Sequence, residues 1–354
     1  MVVTSKYNMI AIEVNSLPIG EVMSDISEAF NTTFSVSCGE YLLNIPPEIG
    51  EGNIKGVNFD GGMGILQYDC LFNQDVELQF TVKEVHPVKF LYCLEGQLRH
   101  RFEGSEEEHE IDQYQEAIVS SDFHRGHILT FQAHMKTVIN SLEITRNVFQ
   151  NKMKCELITM NIDLQNLFND IKAEKLFYHE GYYSLKLADL FREMQSFEGK
   201  DFIKKIFLEG KAFQMLTEQI LQYEDDSFDS SKRSILRRTE IKQVEMAVHL
   251  IKKQISELNN ISDIAGDVGL SPNKLQEGFQ NLYGTTVNKY IQKIRLDLIK
   301  DFVLNTEYSM SEIAHMSGLS SKSYLSKIFK EEYGKSPSDY RKNFLEFIQT
   351  RKSK

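Results

Sequence analysis

Ile313-Ala314-His315-Met316-Ser317-Gly318-Leu319-Ser320-Ser321-Lys322-Ser323-Tyr324-Leu325-Ser326-Lys327-Ile328-Phe329-Lys330 is the stretch that decides how this chain of 354 residues is read. It repeats a pattern that begins at Ile264-Ala265 and runs through Gly269-Leu270-Ser271, Phe279, Gly284 and Tyr290; the second copy goes on to Gly334 and Tyr340. The offset between copies is 49 up to the serines and 50 from the phenylalanines onward, which places one added residue inside the second helix of the later copy. Each copy reads as helix, turn, helix. Ser262 and Ser311 are expected N-caps, since a hydroxyl accepts from an unpaired amide of the first turn. Ala265 and Ala314 permit close helix approach, and Gly269 and Gly318 suit a turn with positive φ. Ser271-Pro272 opens the next helix, with Pro where a missing N–H costs nothing. Gly284 and Gly334 end those helices. A plain helical repeat is the bland alternative; two copies with matching caps, glycines and aromatics favour DNA-binding helix pairs.

Between the copies, Val287 to Asn305 carries apolar residues at helical spacing: Val287, Tyr290, Ile291, Ile294, Leu298, Phe302 and Val303. Nineteen residues make a rod of about 28 Å. Successive major grooves on one face of B-DNA recur about every 34 Å, so such a rod suits two helices in neighbouring grooves and one monomer reading a two-part site.

The segment from about Thr239 to Lys342 resembles the DNA-binding domain of the AraC/XylS family of bacterial transcription regulators. The resemblance rests on the second copy and on Tyr333-Gly334-Lys335-Ser336-Pro337-Ser338-Asp339-Tyr340-Arg341 after it, with Leu319 and Leu325 where many members have Phe. Arg295-Leu296 matches a pair usual in the linking helix, with Ile299 replacing a common Ala. It implies that the first recognition helix presents Asn273, Gln276 and Glu277 to bases, and the second Lys322, Ser323, Ser326 and Lys327. Asn and Gln can pair with adenine and Lys can reach guanine. Lys274, Lys330 and Arg341 are expected on phosphates, which position without specifying sequence. Any of these residues could also be plain solvated helix surface. Two features of the first helix depart from the pattern. Glu277 stands where a basic residue is common, and Gly278 lies inside a helix, where it costs about 0.5–1 kcal/mol relative to Ala. The first pair is therefore expected to bind less strongly than the second.

Charge divides the chain. From Thr239 onward there are 17 Lys/Arg and 14 Asp/Glu, a net +3; the preceding residues hold 23 and 37, a net −14. DNA contact is thus expected to be confined to the C-terminal domain. The basic cluster Lys232, Arg233, Arg237 and Arg238 reads as solvated linker. No run of about twenty apolar residues and no signal-peptide order is present, so no membrane is involved and a cytoplasmic location is expected. Cys38, Cys70, Cys93 and Cys155 form no Cys-x-x-Cys and are expected as reduced, mostly buried thiols.

From about residue 20 to 160 the pattern is one of short strands. Val76, Leu78, Phe80 and Val82 alternate with polar residues, as do Leu98, His100 and Phe102; turns recur at Asp60-Gly61-Gly62, Glu95-Gly96 and Glu103-Gly104-Ser105. In the AraC/XylS family such a region is commonly a cupin-like barrel that senses an effector. The order Val88 to Gly96, Gln97 to Phe102, Glu116 to Ser121 resembles its core. His124 and His127 are the closest histidine pair, with His86, His100, His109 and His134 elsewhere, but the metal-cupin arrangement of Gly, His-x-His and Glu is missing. Surface or structural histidines are the expectation, with no metal, no other cofactor and no catalytic residues.

A helical segment follows. Leu164, Leu167, Phe168 and Ile171 share a face; so do Leu187, Leu190, Phe191 and Met194, after Ser184 as N-cap; Ile203, Ile206, Phe207, Phe213, Ile220 and Leu221 lie on a longer helix. Phe207 to Phe213 resembles a segment of the branch of the family that senses ferric siderophores. The expected fold class is α+β: a cupin-like effector-sensing barrel over 1–162, a helical packing or dimerisation segment over 163–223, a linker over 224–238, and an all-α DNA-binding domain with two helix-turn-helix motifs over 239–345. The expected function is sequence-specific transcription regulation under a small-molecule effector, a ferric siderophore in that branch. RNA polymerase, double-stranded DNA and a second copy in a homodimer are its expected partners. The alternatives are a cupin-type metal enzyme fused to a DNA-binding domain, or a regulator with a ligand-free dimerisation module.

Overall fold

The structure, a computed structural model, describes residues 3–4, 9–81, 84–153, 157–228, 238–258 and 260–352. Val82, Cys155 and the cluster residues Lys232, Arg233 and Arg237 lie outside the described residues. The chain forms two compact units, Met1–Arg233 and Ser234–Lys354.

The first unit is built on two sheets. One contains β1 (Val3–Thr4), β2 (Met9–Val14), β7 (Asp75–Phe80), β12 (His127–Phe131), β9 (Gln97–Phe102) and β10 (Glu108–Asp112), in that spatial order, with β2 parallel to β7 and the other pairs antiparallel. The other runs β14 (Phe177–Tyr183), β11 (Gln115–Ser120), β8 (Val88–Glu95), β13 (Thr137–Ile144), β6 (Met63–Phe72), β5 (Gly50–Phe59), β4 (Glu40–Asn44) and β3 (Phe34–Ser37), all antiparallel. The cupin-like region is therefore a sandwich of two open sheets. Their inner faces share one apolar core, with Leu78, Phe80, Leu129 and Phe131 from the first sheet and Leu66, Tyr68, Leu91 and Ile139 from the second.

Strand periodicity explains which sheet is covered. β9 alternates half-buried and buried residues, whereas β8, β11 and β13 are buried almost throughout. Such two-sided burial requires a layer of helices outside. That layer comes from α2 (Arg146–Met153), α3 (Ile162–Asn169), α4 (Leu185–Ser196) and α5 (Asp201–Phe228), while α1 (Ile19–Ala29) packs near β2 and β5. Phe90 stacks on Phe168, and Phe168 on Phe149. Tyr92 donates its hydroxyl to the Ser184 carbonyl at 2.6 Å, and Gln219 of α5 donates to the Leu91 carbonyl. Ser184 caps α4, accepting from the Leu187 amide.

Several expected helix faces move. α3 ends at Asn169, so Ile171 lies beyond it and is exposed. α5 buries Leu208, Ala212, Met215, Leu216, Gln219 and Tyr223, leaving Ile203, Ile206 and Leu221 in solvent. Two apolar stripes overlap on this helix, and only the outer face of the sheet selects between them. α5 also continues through Phe228, so residues 224–228 of the expected linker are helical, including Asp225-Asp226-Ser227. Cys70 and Cys93 are buried; Cys38 is exposed on a turn. No helix among the described residues is long and apolar enough to cross a membrane.

One end of the sandwich interior is polar. Lys89 and Glu143 form a buried ion pair, and the Lys89 ammonium lies 4.4 Å from the centre of the Phe80 ring. Around them His86, His100 and His127 are buried, 1%, 1% and 0% exposed. Of the two expected kinds, surface and structural, these three are not surface histidines: period-two alternation on β9 and β12 turns His100 and His127 inward. His124 stands exposed in the loop before β12 and does not converge on His127. Burial, then His109 and Lys89, lowers the His100 pKa to about 3; burial, then Lys89, His86 and His100, holds His127 well below the usual histidine range. The unfolded chain takes up these protons near pH 6.5 while the folded chain does not. The stability contribution is therefore complete above pH 6.5 and lost as pH falls toward about 3. Urea melts of the first unit should show stability falling by up to about 1.4 kcal/mol per pH unit per histidine below pH 6.5. A His100→Leu variant should fall less steeply; identical slopes would contradict the neutral-imidazole assignment.

The second unit is all helical: α6 (Arg238–Lys253), α7 (Ile261–Asp267), α8 (Pro272–Tyr283), α9 (Val287–Asn305), α10 (Met310–Met316), α11 (Lys322–Tyr333) and α12 (Pro337–Lys352). Gly278 of α8 is buried, and a Cβ there would sit 2.4 Å from Cγ2 of Val244 on α6. It is a site of close helix approach rather than a weak spot in a surface helix. Gly278→Ala should destabilise the second unit by about 1–3 kcal/mol despite its better helix propensity, because a β-branched neighbour has little room to yield. Chemical denaturation of the variant checks this.

Candidate nucleic-acid interface

Each copy of the repeat is a helix pair closed by the same devices. The turns contain Gly269 and Gly318 at φ 73° and 69°, and α8 and α11 end on Gly284 and Gly334 in the left-handed conformation, at φ 63° and 73°. In the first copy Phe279, Tyr283 and Tyr290 form a three-ring cluster with centroids 5.0–5.4 Å apart. Phe329, Tyr333 and Tyr340 repeat it at 4.5–5.8 Å. The repeated aromatics are core, placed so that each second helix is fixed against the element that follows it.

The caps correct the sequence reading. Asn260 caps α7 and Ser309 caps α10, two residues before Ser262 and Ser311. Ser309 and Glu312 form a reciprocal capping box, which satisfies two amides where Ser311 would satisfy one. Ser271 caps α8 as expected, with Pro272 next, and Ser321 caps α11. Both second helices contain 12 residues. The extra residue therefore lies in the turn of the second copy, between Met316 and Lys322, and not inside the helix.

α9, 19 residues long, joins the pairs. Its buried residues are Val287, Tyr290, Ile291, Leu296, Ile299 and Val303, whereas Ile294, Leu298 and Phe302 are half-buried. Its C-terminal half packs with Ile313, Leu325 and Phe329 of the second pair. Arg295 donates to the carbonyls of Ile255 and Leu258, holding the segment before α7.

Of the ten expected contact residues, Asn273, Lys274, Lys322, Ser323, Lys327 and Lys330 are exposed, and Gln276, Glu277, Ser326 and Arg341 are half-buried. Residues four apart share a helix face, so Ser323 and Lys327 align as Asn273 and Glu277 do. Lys274 is 3.0 Å from Glu240 of α6, and Gln276 accepts the Val287 amide at 3.4 Å, so both already have a partner within the unit. The solvent face of α11 carries Lys322, Lys327 and Lys330, while that of α8 carries Glu277 and a lysine already neutralised. Tyr324, 46% exposed in the first turn of α11, was not among the expected contacts; it occupies the position equivalent to Lys274, which was the available signal.

Arg341 is reassigned. Its guanidinium donates to the carbonyls of Val303 at 2.9 Å, Tyr308 at 2.7 Å and Phe302 at 3.4 Å, closing the C-terminal end of α9. Phe302 and Val303 lie in the last turn of α9, where a cation is also favoured by the dipole, and Tyr308 lies in the loop that follows. Arg341→Gln should lower the stability of the second unit by about 1–3 kcal/mol while leaving the salt dependence of DNA binding unchanged. A shallower salt slope in fluorescence-anisotropy titrations would restore the phosphate assignment.

Among the described residues no group of three His, Cys, Asp or Glu side chains is arranged to hold a metal ion. Comparisons with known proteins agree with the two-unit division. Residues 264–343 match a helix-turn-helix domain family, and residues 51–233, just over half of the chain, match the family described as the regulatory protein PchR N-terminal domain. The Msm operon regulatory protein of Streptococcus mutans is 24% identical over 180 residues, 50% of this chain and 63% of that protein. The xylose operon regulatory protein of Escherichia coli K12 is 28% identical over 95 residues, 27% of this chain and 24% of that protein. The chain thus spans less than two thirds of either relative. A solved AraC-type transcriptional regulator from Chromobacterium violaceum is 27% identical, covering 29% of this chain and 92% of its own, with a TM-score of 0.28. With its duplicated helix pairs and a PchR-type N-terminal region over half its length, the chain belongs to the AraC/XylS family of transcription regulators.

Proposed function

We propose that this protein is a sequence-specific DNA-binding regulator in which the second unit reads a two-part site and the first unit binds a small-molecule effector. The observation that carries the reading is the pair of matching helix-turn-helix elements on one connecting helix, with an exposed lysine face on α11. The division of labour follows the proposed boundaries: sensing over 1–162, packing or self-association over 163–223, and DNA binding over 239–345. Asn273, Lys322, Ser323, Ser326 and Lys327 are the proposed base contacts, with Lys330 on phosphate; Gln276, Glu277 and Lys274 contribute less, since their surroundings already engage or oppose them. Arg341 positions α9. The second helix pair is the stronger anchor, because nonspecific affinity grows with the number of lysines free to displace counterions.

Effector binding acts in this reading by population shift between arrangements with different DNA affinity. In this reading the effector is a ferric siderophore, on the resemblance carried by Phe207 to Phe213, and RNA polymerase and a second copy of the chain are further partners, in the cytoplasm. A regulator is favoured over a metal enzyme because the matched relatives are named as regulators.

Sequencing of genomic fragments retained by the full-length protein at physiological salt tests the proposal. One two-part motif should be enriched. Lys327→Ala should weaken binding to it by about 1–3 kcal/mol and relax preference at one base pair. Uniform, salt-sensitive retention by both proteins, with and without a small-molecule extract of cells, would overturn sequence-specific reading.

A further inference from the structure

A polar cluster lies on the outer face of the larger sheet, beneath the C-terminal turns of α5. Glu116 of β11 is 0% exposed, and neither of its carboxyl oxygens has a hydrogen-bond partner. On α5, Oε1 of Gln219 is also buried and unpartnered, while Nε2 of the same side chain donates to the Leu91 carbonyl at 3.3 Å. Gln219, Tyr223 and Asp226 follow one another at helical spacing and share a face. Oδ2 of Asp226 lies 3.5 Å from Nε2 of His179 on β14, and His179 stands edge-on to Tyr223 at 4.5 Å.

The strand makes room for the carboxyl. A Cβ at Gly181 of β14 would lie 2.5 Å from Cγ of Glu116 and 3.0 Å from its Oε1. Glu116 therefore lies across the edge strand, β14, which pairs with β11 alone. A carboxylate, an amide oxygen and a second carboxylate are all acceptors and cannot bond to one another. Protonation of Glu116 turns one of them into a donor and resolves the conflict.

The local charges favour that proton. Burial, then the Asp226 carboxylate, raises the Glu116 pKa well above the usual carboxylate range, with the Gln219 amide opposing in part. Other ionisable groups on the packed elements have partners of their own. Tyr92 of β8, beside Glu116 in the ladder, donates to the Ser184 carbonyl at 2.6 Å. Lys186 of α4 pairs with Glu218 of α5 at 2.5 Å, and the Tyr223 hydroxyl is 3.5 Å from Asp163 of α3. Glu180 of β14 points to the opposite face and accepts from Gln115 at 2.7 Å.

We propose that Glu116 is a proton-controlled latch on the end of α5, the last described element of the first unit. Neutral, it donates to Oε1 of Gln219 and seats the C-terminal turns of α5 on β14. Ionised, it faces the Asp226 carboxylate with no donor between them, and those turns loosen. The open form ionises near the ordinary value of 4.5, the closed form only well above it. The latch is thus strongest below about pH 4.5 and weakens as pH rises toward the closed-state value. This device depends neither on the effector nor on DNA.

Amide hydrogen exchange and infrared spectra of the full-length protein test it. Protection of residues 219–228, corrected for the intrinsic pH dependence of exchange, should fall about tenfold or more between about pH 5 and 8. In Glu116→Gln, whose amide donates to Gln219 at every pH, protection should stay constant. The wild type should show a protonated-carboxyl carbonyl band at about pH 7 that is missing from Glu116→Gln. Asp226→Asn should lower the pH at which this band disappears, and it decides the matter if Glu116→Gln does not fold. Protection that falls equally in wild type and Glu116→Gln, a band that Glu116→Gln leaves in place, or one that titrates alike in wild type and Asp226→Asn would each overturn the latch.

Discussion

Everything in the second unit depends on one constraint: both helix pairs pack on a single 19-residue helix, α9. A helix of that length has too few buried positions to hold two independent domains. Each pair therefore brings its own ring cluster, Phe279 with Tyr283 and Tyr290, Phe329 with Tyr333 and Tyr340, and α9 or α12 supplies the third ring. Arginine clamps then tie the loose ends, Arg295 to the carbonyls before α7 and Arg341 to those at the end of α9. A rigid rod between two recognition helices is a physical precondition for reading two half-sites in one fixed register.

On that shared scaffold the two copies have diverged in charge rather than in shape. α8 and α11 have the same length, the same left-handed glycine ends and equivalent buried Leu and Phe positions. Their solvent faces differ: Lys327 against Glu277, Lys330 against Gln280, and Tyr324 against a lysine paired with Glu240. Backbone geometry is set by packing and caps, so the exposed residues are free to change without cost to the fold. The two copies therefore keep one shape while their solvent faces differ.

The first unit shows the opposite arrangement, with polar chemistry turned inward. A sandwich core filled by Leu, Phe and Ile accommodates the buried Lys89–Glu143 pair and three imidazoles at one end. Buried ion pairs seldom add net stability, since desolvation offsets much of the attraction. Their presence in a core otherwise so apolar favours a functional account over a structural one.

Much of the second unit was legible in the sequence because its rules are local. A glycine that must take positive φ, a proline in a first turn and aromatics at a fixed period each state a backbone requirement within a few residues. Even there, cap positions and the site of the extra residue were misread: Ser and Asn candidates lie two residues apart, and only the formed helix shows which hydroxyl meets an amide. Arg341 read as a phosphate contact because a basic residue in a DNA-binding domain looks like surface, whereas its partners are carbonyls more than thirty residues away in sequence. The strands and their alternation were likewise legible in the first unit, but not that the sheets stay open, which stripe of α5 is buried, or that His86, His100 and His127 meet. By itself, then, the sequence determined the repeat, the helix pairs, the strand-rich half and the contrast in charge between the two. Tertiary structure alone decided which side chains became partners, because burial and hydrogen bonding depend on distances between segments that sequence order does not contain.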